Sequence, residues 1–179
     1  MKENSKPYTK TAILLHWIVA LLLVGVIGLA YLLEAFPEES AGFATVIGLH
    51  KSIGIAILAL SLLRLIWRLF NKPPAMPEST PLWQRVAAHA VMSSLYVLTI
   101  LTPIVGWAMV SADGQTTSFF GMFDLPSLLA ESENAAEQLE ELHELLANMI
   151  IGLVILHVLA SLKHQFINRD SLLSRMRLK

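Results

Sequence analysis

The stretch ELHELLANMIIGLVILHVLASLKHQF, residues 141–166, decides how the rest of the chain is read. Between Leu142 and Leu162 its one Asp, Glu, Lys or Arg is Glu144. A helix rises about 1.5 Å per residue and the hydrocarbon layer is about 30 Å thick, so roughly 20 apolar residues cross a membrane. The run is long enough, and it carries His143 and His157, 14 residues apart. On a helix these two lie about 21 Å apart along the axis and within about 40° of one face. A single spanning helix therefore offers one imidazole near each membrane surface.

Working outward, three further runs have the same character: about Ala12–Leu33, Ala44–Ile66 and Val86–Val110. With about 142–162 they predict an all-α membrane protein, a bundle of four transmembrane helices forming one domain over residues 1–179. Composition agrees. Of 179 residues 55% are hydrophobic and 15% charged, and the mean hydropathy is +0.60, too apolar for an ordinary soluble domain. The absence of cysteine rules out disulfides, thiolate metal sites, iron–sulfur clusters and covalent haem attachment within the chain. No P-loop or glycine-rich nucleotide motif occurs, and no nucleic-acid partner is expected.

The basic start MKENSKPYTK before the first run has the look of a signal peptide. The run exceeds a typical signal core, lacks a small-residue cleavage pattern and contains His16, so the helix is expected to be retained.

Charge sets the orientation. Lys2, Lys6, Lys10, Arg64, Arg68, Lys72, Arg85, Lys163, Arg169, Arg175, Arg177 and Lys179, all the basic residues but Lys51, fall on the side of the two termini and the second-to-third connection. Glu34, Glu38 and Glu39, and eight carboxylates from Asp113 to Glu144, fall on the other. The positive-inside rule then predicts cytoplasmic termini and acidic outer loops. The proline-rich linker NKPPAMPESTP, residues 71–81, reads as extended. The long outer loop, 111–141, ends in an acidic helical segment that runs into the fourth span and reads as an interfacial helix or as a solvated acidic face. Trp17, Trp67, Trp83 and Trp107 all fall near membrane interfaces, where a belt role is the default.

All six histidines, His16, His50, His89, His143, His157 and His164, lie in or beside a span, where an ionisable group is costly and marks function. A single membrane histidine is more often a packing or hydrogen-bonding group than a ligand. Four at matched depth reverse that: His50 is level with His143 near the outer surface, and His16 with His157 near the inner one. Two such pairs suit two planar macrocycles stacked across the membrane, each iron held by two neutral imidazoles and so restricted to electron exchange. His89 competes with His157 or His16 for the inner place, and otherwise bonds a propionate, lines a quinone pocket or sits at the interface. His164 lies at headgroup level. Gly54, one turn after His50, leaves room for a flat ring. Gly48 and Gly152 have that role or a helix-packing one. Lys51 on the outer side and Arg64, Arg68 and Lys163 on the inner are cations for propionates, or anchors that snorkel to the interface.

Together LLHW at His16, LHKSIG at His50, RLIWRL at Arg64, TPIVG in the third span and the fourth-span motif resemble the bacterial di-haem cytochrome b561 family. The resemblance covers all four spans, from about residue 8 to the C-terminal tail, and is weakest in the outer loops. It implies a multi-pass protein of the bacterial inner membrane with two b haems, His16 and His157 holding the inner one and His50 and His143 the outer. It also implies a quinone-linked oxidoreductase of the superoxide oxidase kind, passing electrons to ubiquinone near His164. The residues alone keep other readings open: a cytochrome subunit of a larger dehydrogenase or hydrogenase served by a periplasmic protein donor, and a non-redox histidine-containing transporter. The last is disfavoured by the lack of an intramembrane carboxylate or broken half-helix pair. If superoxide is the donor, Lys51 beside His50 is its expected point of approach, set against repulsion from the outer carboxylates.

Overall fold

The computed structural model describes residues 7–76, 80–168 and 172–177. Lys2, Lys6, Arg169 and Lys179 of the charge pattern, and positions 77–79 of the linker, lie outside the described residues. Four long helices carry the architecture: α1 (Lys10–Leu33), α2 (Ala41–Phe70), α3 (Leu82–Ala112) and α4 (Glu133–Lys163). Each is long and apolar enough to cross a membrane.

The helices overrun the apolar runs because helical hydrogen bonding does not stop where hydropathy does. It stops at caps. Thr9, Ser40 and Ser132 accept hydrogen bonds from the backbone N–H of Ala12, Phe43 and Ala135 at 3.2, 3.1 and 3.4 Å. The acidic segment before the fourth span is thus the first part of α4 itself, with Glu133 favourably placed at the positive end of the helix dipole.

Neighbouring helices pack in sequence order, α1 on α2, α2 on α3 and α3 on α4. A small core forms where Leu98 and Val105 of α3 meet Leu146 and Ile150 of α4. Large apolar side chains such as Leu21, Val24, Ile155 and Leu159 point outward. That inversion suits helices whose surroundings are lipid tails.

The outer loop contains structure that the sequence reading did not anticipate. Strands β1 (Thr117–Phe119) and β2 (Phe123–Leu125) pair antiparallel, with Phe119 opposite Phe123. Met122 N–H donates to Phe119 O at 2.9 Å, and the two residues between them, Phe120 and Gly121, have φ of 51° and 69°. Positive φ at both central positions matches the twist of a tight hairpin. Gly121 takes it freely, whereas Phe120 takes it at a steric cost. Ser52 of α2, 2% exposed, holds that strained residue: its Oγ accepts from Phe120 N–H at 2.9 Å and donates toward Gly48 O at 2.8 Å and Ser118 O at 3.2 Å. The hairpin is therefore pinned well down the length of α2.

Three of the four tryptophans also act as ties between segments. Trp107 Nε1 donates to Pro126 O, Trp67 Nε1 to Thr9 Oγ1 and Trp17 Nε1 to Met176 O, each at 3.0 Å. An indole suits both purposes, since it offers an apolar ring and one N–H donor.

Candidate functional site

The structure brings four histidines together in two pairs. His16 of α1 faces His157 of α4 with ring centres 6.3 Å apart, and His50 of α2 faces His143 of α4 at the same 6.3 Å. The rings are inclined at 72° and 69°. Both pairs reach across to α4 from α1 and α2, helices that are not its close packing partner, since α4 leans on α3. His89 joins neither pair; it is exposed on α3.

The spacing fits a shared metal. An imidazole nitrogen bonds a metal at about 2 Å and lies about 1 Å from its ring centre, so two rings on one metal are about 6 Å apart. Among the described residues no group of three or more potential ligands forms. Each pair could hold a metal whose remaining positions a macrocycle would fill.

The outer pair is oriented by the backbone. His50 Nδ1 lies 3.2 Å from Val26 O and His143 Nδ1 3.1 Å from Thr102 O. A carbonyl only accepts, so each Nδ1 carries the proton and each Nε2 keeps its lone pair for a metal. The approach of His143 depends on Gly106, one turn after Thr102, where a Cβ would lie 2.9 Å from the ring. Gly106 was legible only as part of the TPIVG motif, because a need for empty space on one helix arises from a side chain on another. Gly54 is half-buried, yet nothing lies within 4 Å of where its Cβ would be, so a flat group has room beside it. Nothing touches the corresponding points at Gly48 and Gly152, so neither serves a close helix contact.

The inner pair differs. His16 Nδ1 is buried without a protein partner, and Trp17 lies edge-on to the His16 ring with centres 5.3 Å apart. Arg64 and Arg68 both stack on Tyr96, their guanidinium carbons 4.9 and 5.2 Å from the ring centre. Lys163 Nζ is 6.0 Å from the Trp83 ring centre. His164 caps α4, where the backbone loosens into a π-helical turn, His164–Asn168, and its Nδ1 is 3.2 Å from Asn168 Nδ2.

Lys51 is half-buried beside the outer pair and donates to Gln115 Oε1 at 3.0 Å, while Gln115 Nε2 donates to Asp113 Oδ2 at 2.6 Å. The outer cation is thus tied through an amide to a carboxylate.

Known proteins resemble the chain along nearly its whole length. The family model described as prokaryotic cytochrome b561 matches residues 7–178. The chain is 34% identical over 162 residues to cytochrome b561 homolog 2 of Escherichia coli, covering 90% of this chain and 86% of that one. It is 31% identical over 169 residues to cytochrome b561 homolog 1 of the same organism, covering 94% and 96%. It is also 33% identical over 172 residues to a probable superoxide oxidase, CybB, of Yersinia pestis, covering 96% of each. Such coverage sets aside the transporter reading, and the facing histidines belong to a multi-pass electron carrier of a bacterial inner membrane that binds b haem. The chain is a member of the prokaryotic cytochrome b561 family.

Proposed function

We propose that the chain binds two b haems, one between His16 and His157 and one between His50 and His143, and carries electrons from an outer donor to membrane quinone on the cytoplasmic side. The observation that carries this reading is the pair of matched 6.3 Å gaps on one helix. Bound there, each haem supplies reversible one-electron exchange with no open coordination position.

The residues do the remaining work. Val26 O and Thr102 O hold the outer imidazoles in the tautomer that ligates. His164, half-buried at the end of α4, supplies the hydrogen bond and the proton that a quinone carbonyl needs on reduction. With superoxide as donor, two superoxide ions give up one electron each and leave as dioxygen, while one quinone takes two electrons and two protons to become quinol. The 33% identity to a probable superoxide oxidase supports this donor. The eleven outer carboxylates and the tethering of Lys51 weigh the other way.

A second reading, a cytochrome subunit of a larger dehydrogenase or hydrogenase complex, is favoured by the apolar hairpin tip, where Met122 and Phe123 are 76% and 56% exposed and offer a protein partner a contact. Stopped-flow reduction of the holoprotein by superoxide, with and without quinone, separates the two. Rapid reduction by superoxide followed by quinone-dependent reoxidation is expected. Reduction only by a membrane dehydrogenase would establish the second reading.

A further inference from the structure

Two contacts fix the register of α1 against α2. His50 Nδ1 lies 3.2 Å from Val26 O, and Trp67 Nε1 donates to Thr9 Oγ1 at 3.0 Å. Seventeen residues separate Thr9 from Val26, and seventeen separate His50 from Trp67, so one antiparallel register runs along the pair. It brings Arg64 level with Ala12, one helical turn, about 6 Å, from His16. An arginine side chain spans that distance, and the Arg64 charge acts on both His16 and His157.

Among the described residues no carboxylate answers this charge. The groups that act on half-buried Arg64 are Tyr96, Arg68 and Tyr8: two phenols, neutral near pH 7, and a second cation one turn farther along α2. Both guanidinium groups lie over the Tyr96 ring. The outer pair has the opposite surroundings. Lys51, the one basic residue at that end, is bonded to Gln115, which is bonded in turn to Asp113, while Glu144 follows His143 and acts on it. A positive charge near an iron favours the reduced state, and a negative one the oxidised state. Two b haems bring the same propionates, so the charges of the protein decide the difference between the sites.

We propose that Arg64 holds the haem between His16 and His157 at a higher potential than the haem between His50 and His143, so that electrons run downhill from the outer site to the inner. The inference rests on the two-haem reading and adds to it the direction of flow.

The test is a redox titration of the full-length holoprotein, followed by visible spectra, in the parent, Arg64→Gln and Arg64→Lys. His157→Ala and His143→Ala identify the inner and outer haem. In the parent the inner haem is expected to be reduced first. Arg64→Gln should lower its potential by about 59 mV, a tenfold change in the ratio of reduced to oxidised haem for one electron, and leave the outer haem in place. Arg64→Lys should keep most of the parent potential, since the charge remains. Ala12→Glu sets a carboxylate level with Arg64, in the first turn of α1 where the helix dipole favours it, and should lower the inner potential in the same direction even if Arg64→Gln loses the inner haem. An inner haem that titrates below the outer one overturns the proposal. So does an inner potential that neither Arg64→Gln nor Ala12→Glu lowers, or a fall that Arg64→Lys shares in full, which would belong to packing against Tyr96. A parent with fewer than two haems, or a His157→Ala variant that keeps both, refutes the two-haem reading itself and is detected before Arg64 is considered.

Discussion

Gly106 of α3 lies directly beneath the imidazole of His143 on α4: a Cβ at Gly106 would come within 2.9 Å of Cε1 and 3.0 Å of Nδ1. The missing side chain lets the ring reach Thr102 O, one turn earlier on α3, and so sets both its position and its tautomer. In Gly106→Ala the ring must shift, at a cost of about 1 kcal/mol or more from the weakened hydrogen bond alone. The expected outcome is a roughly fivefold or greater loss of affinity for the outer haem, with the inner haem retained. Haem-to-protein ratio and a redox titration of the variant check it.

The two ring pairs predict a clean division of ligand variants. His50→Ala or His143→Ala should remove the outer haem, and His16→Ala or His157→Ala the inner one, each leaving about one haem per chain by pyridine haemochrome. His89→Ala should leave both haems and their low-spin spectra intact, because His89 is exposed and pairs with neither gap. Loss of a haem in His89→Ala with retention in His157→Ala would show the inner pair to be wrongly assigned.

Ser52→Ala removes the hydroxyl that holds Phe120 at positive φ. An unpaired backbone N–H in a buried place costs about 1–3 kcal/mol. The hairpin Thr117–Leu125 should loosen, visible as faster amide hydrogen exchange across those residues while α2 itself stays protected. Equal protection in variant and parent would mean that the strand pairing alone holds the turn.

Lys51 offers a test of the donor. Lys51→Glu should slow reduction by superoxide with both haems still bound, and Gln115→Ala, which frees the ammonium from its amide tether, should accelerate it. Added salt separates short-range from long-range effects, since the Debye length is about 8 Å at physiological ionic strength. Salt that speeds the reaction points to repulsion by the distant loop carboxylates, and salt that slows it points to attraction by the local lysine. A rate that ignores both substitutions would move the preference to a protein donor.

His164→Ala should leave the haem spectrum unchanged and slow reoxidation by a soluble quinone, since a proton relay would be lost. Reoxidation at the parent rate would remove His164 from the quinone site.

The sequence by itself determined the four long apolar helices and the spacing of the histidines along them. Both follow from local quantities: the length of an apolar run against the thickness of the hydrocarbon, and the rise per residue that places His143 and His157 near opposite ends of one helix. Tertiary structure decided which imidazole faces which, and so left His89 outside. It also decided that Gly106 makes room for His143, that Ser52 pins a hairpin hidden within an acidic loop, and that Arg64 comes level with Ala12, one turn from His16. These depend on how helices lean on one another and where a loop returns. No window of sequence contains both partners of such a contact, and spacing along the chain carries no information about the distance across the bundle.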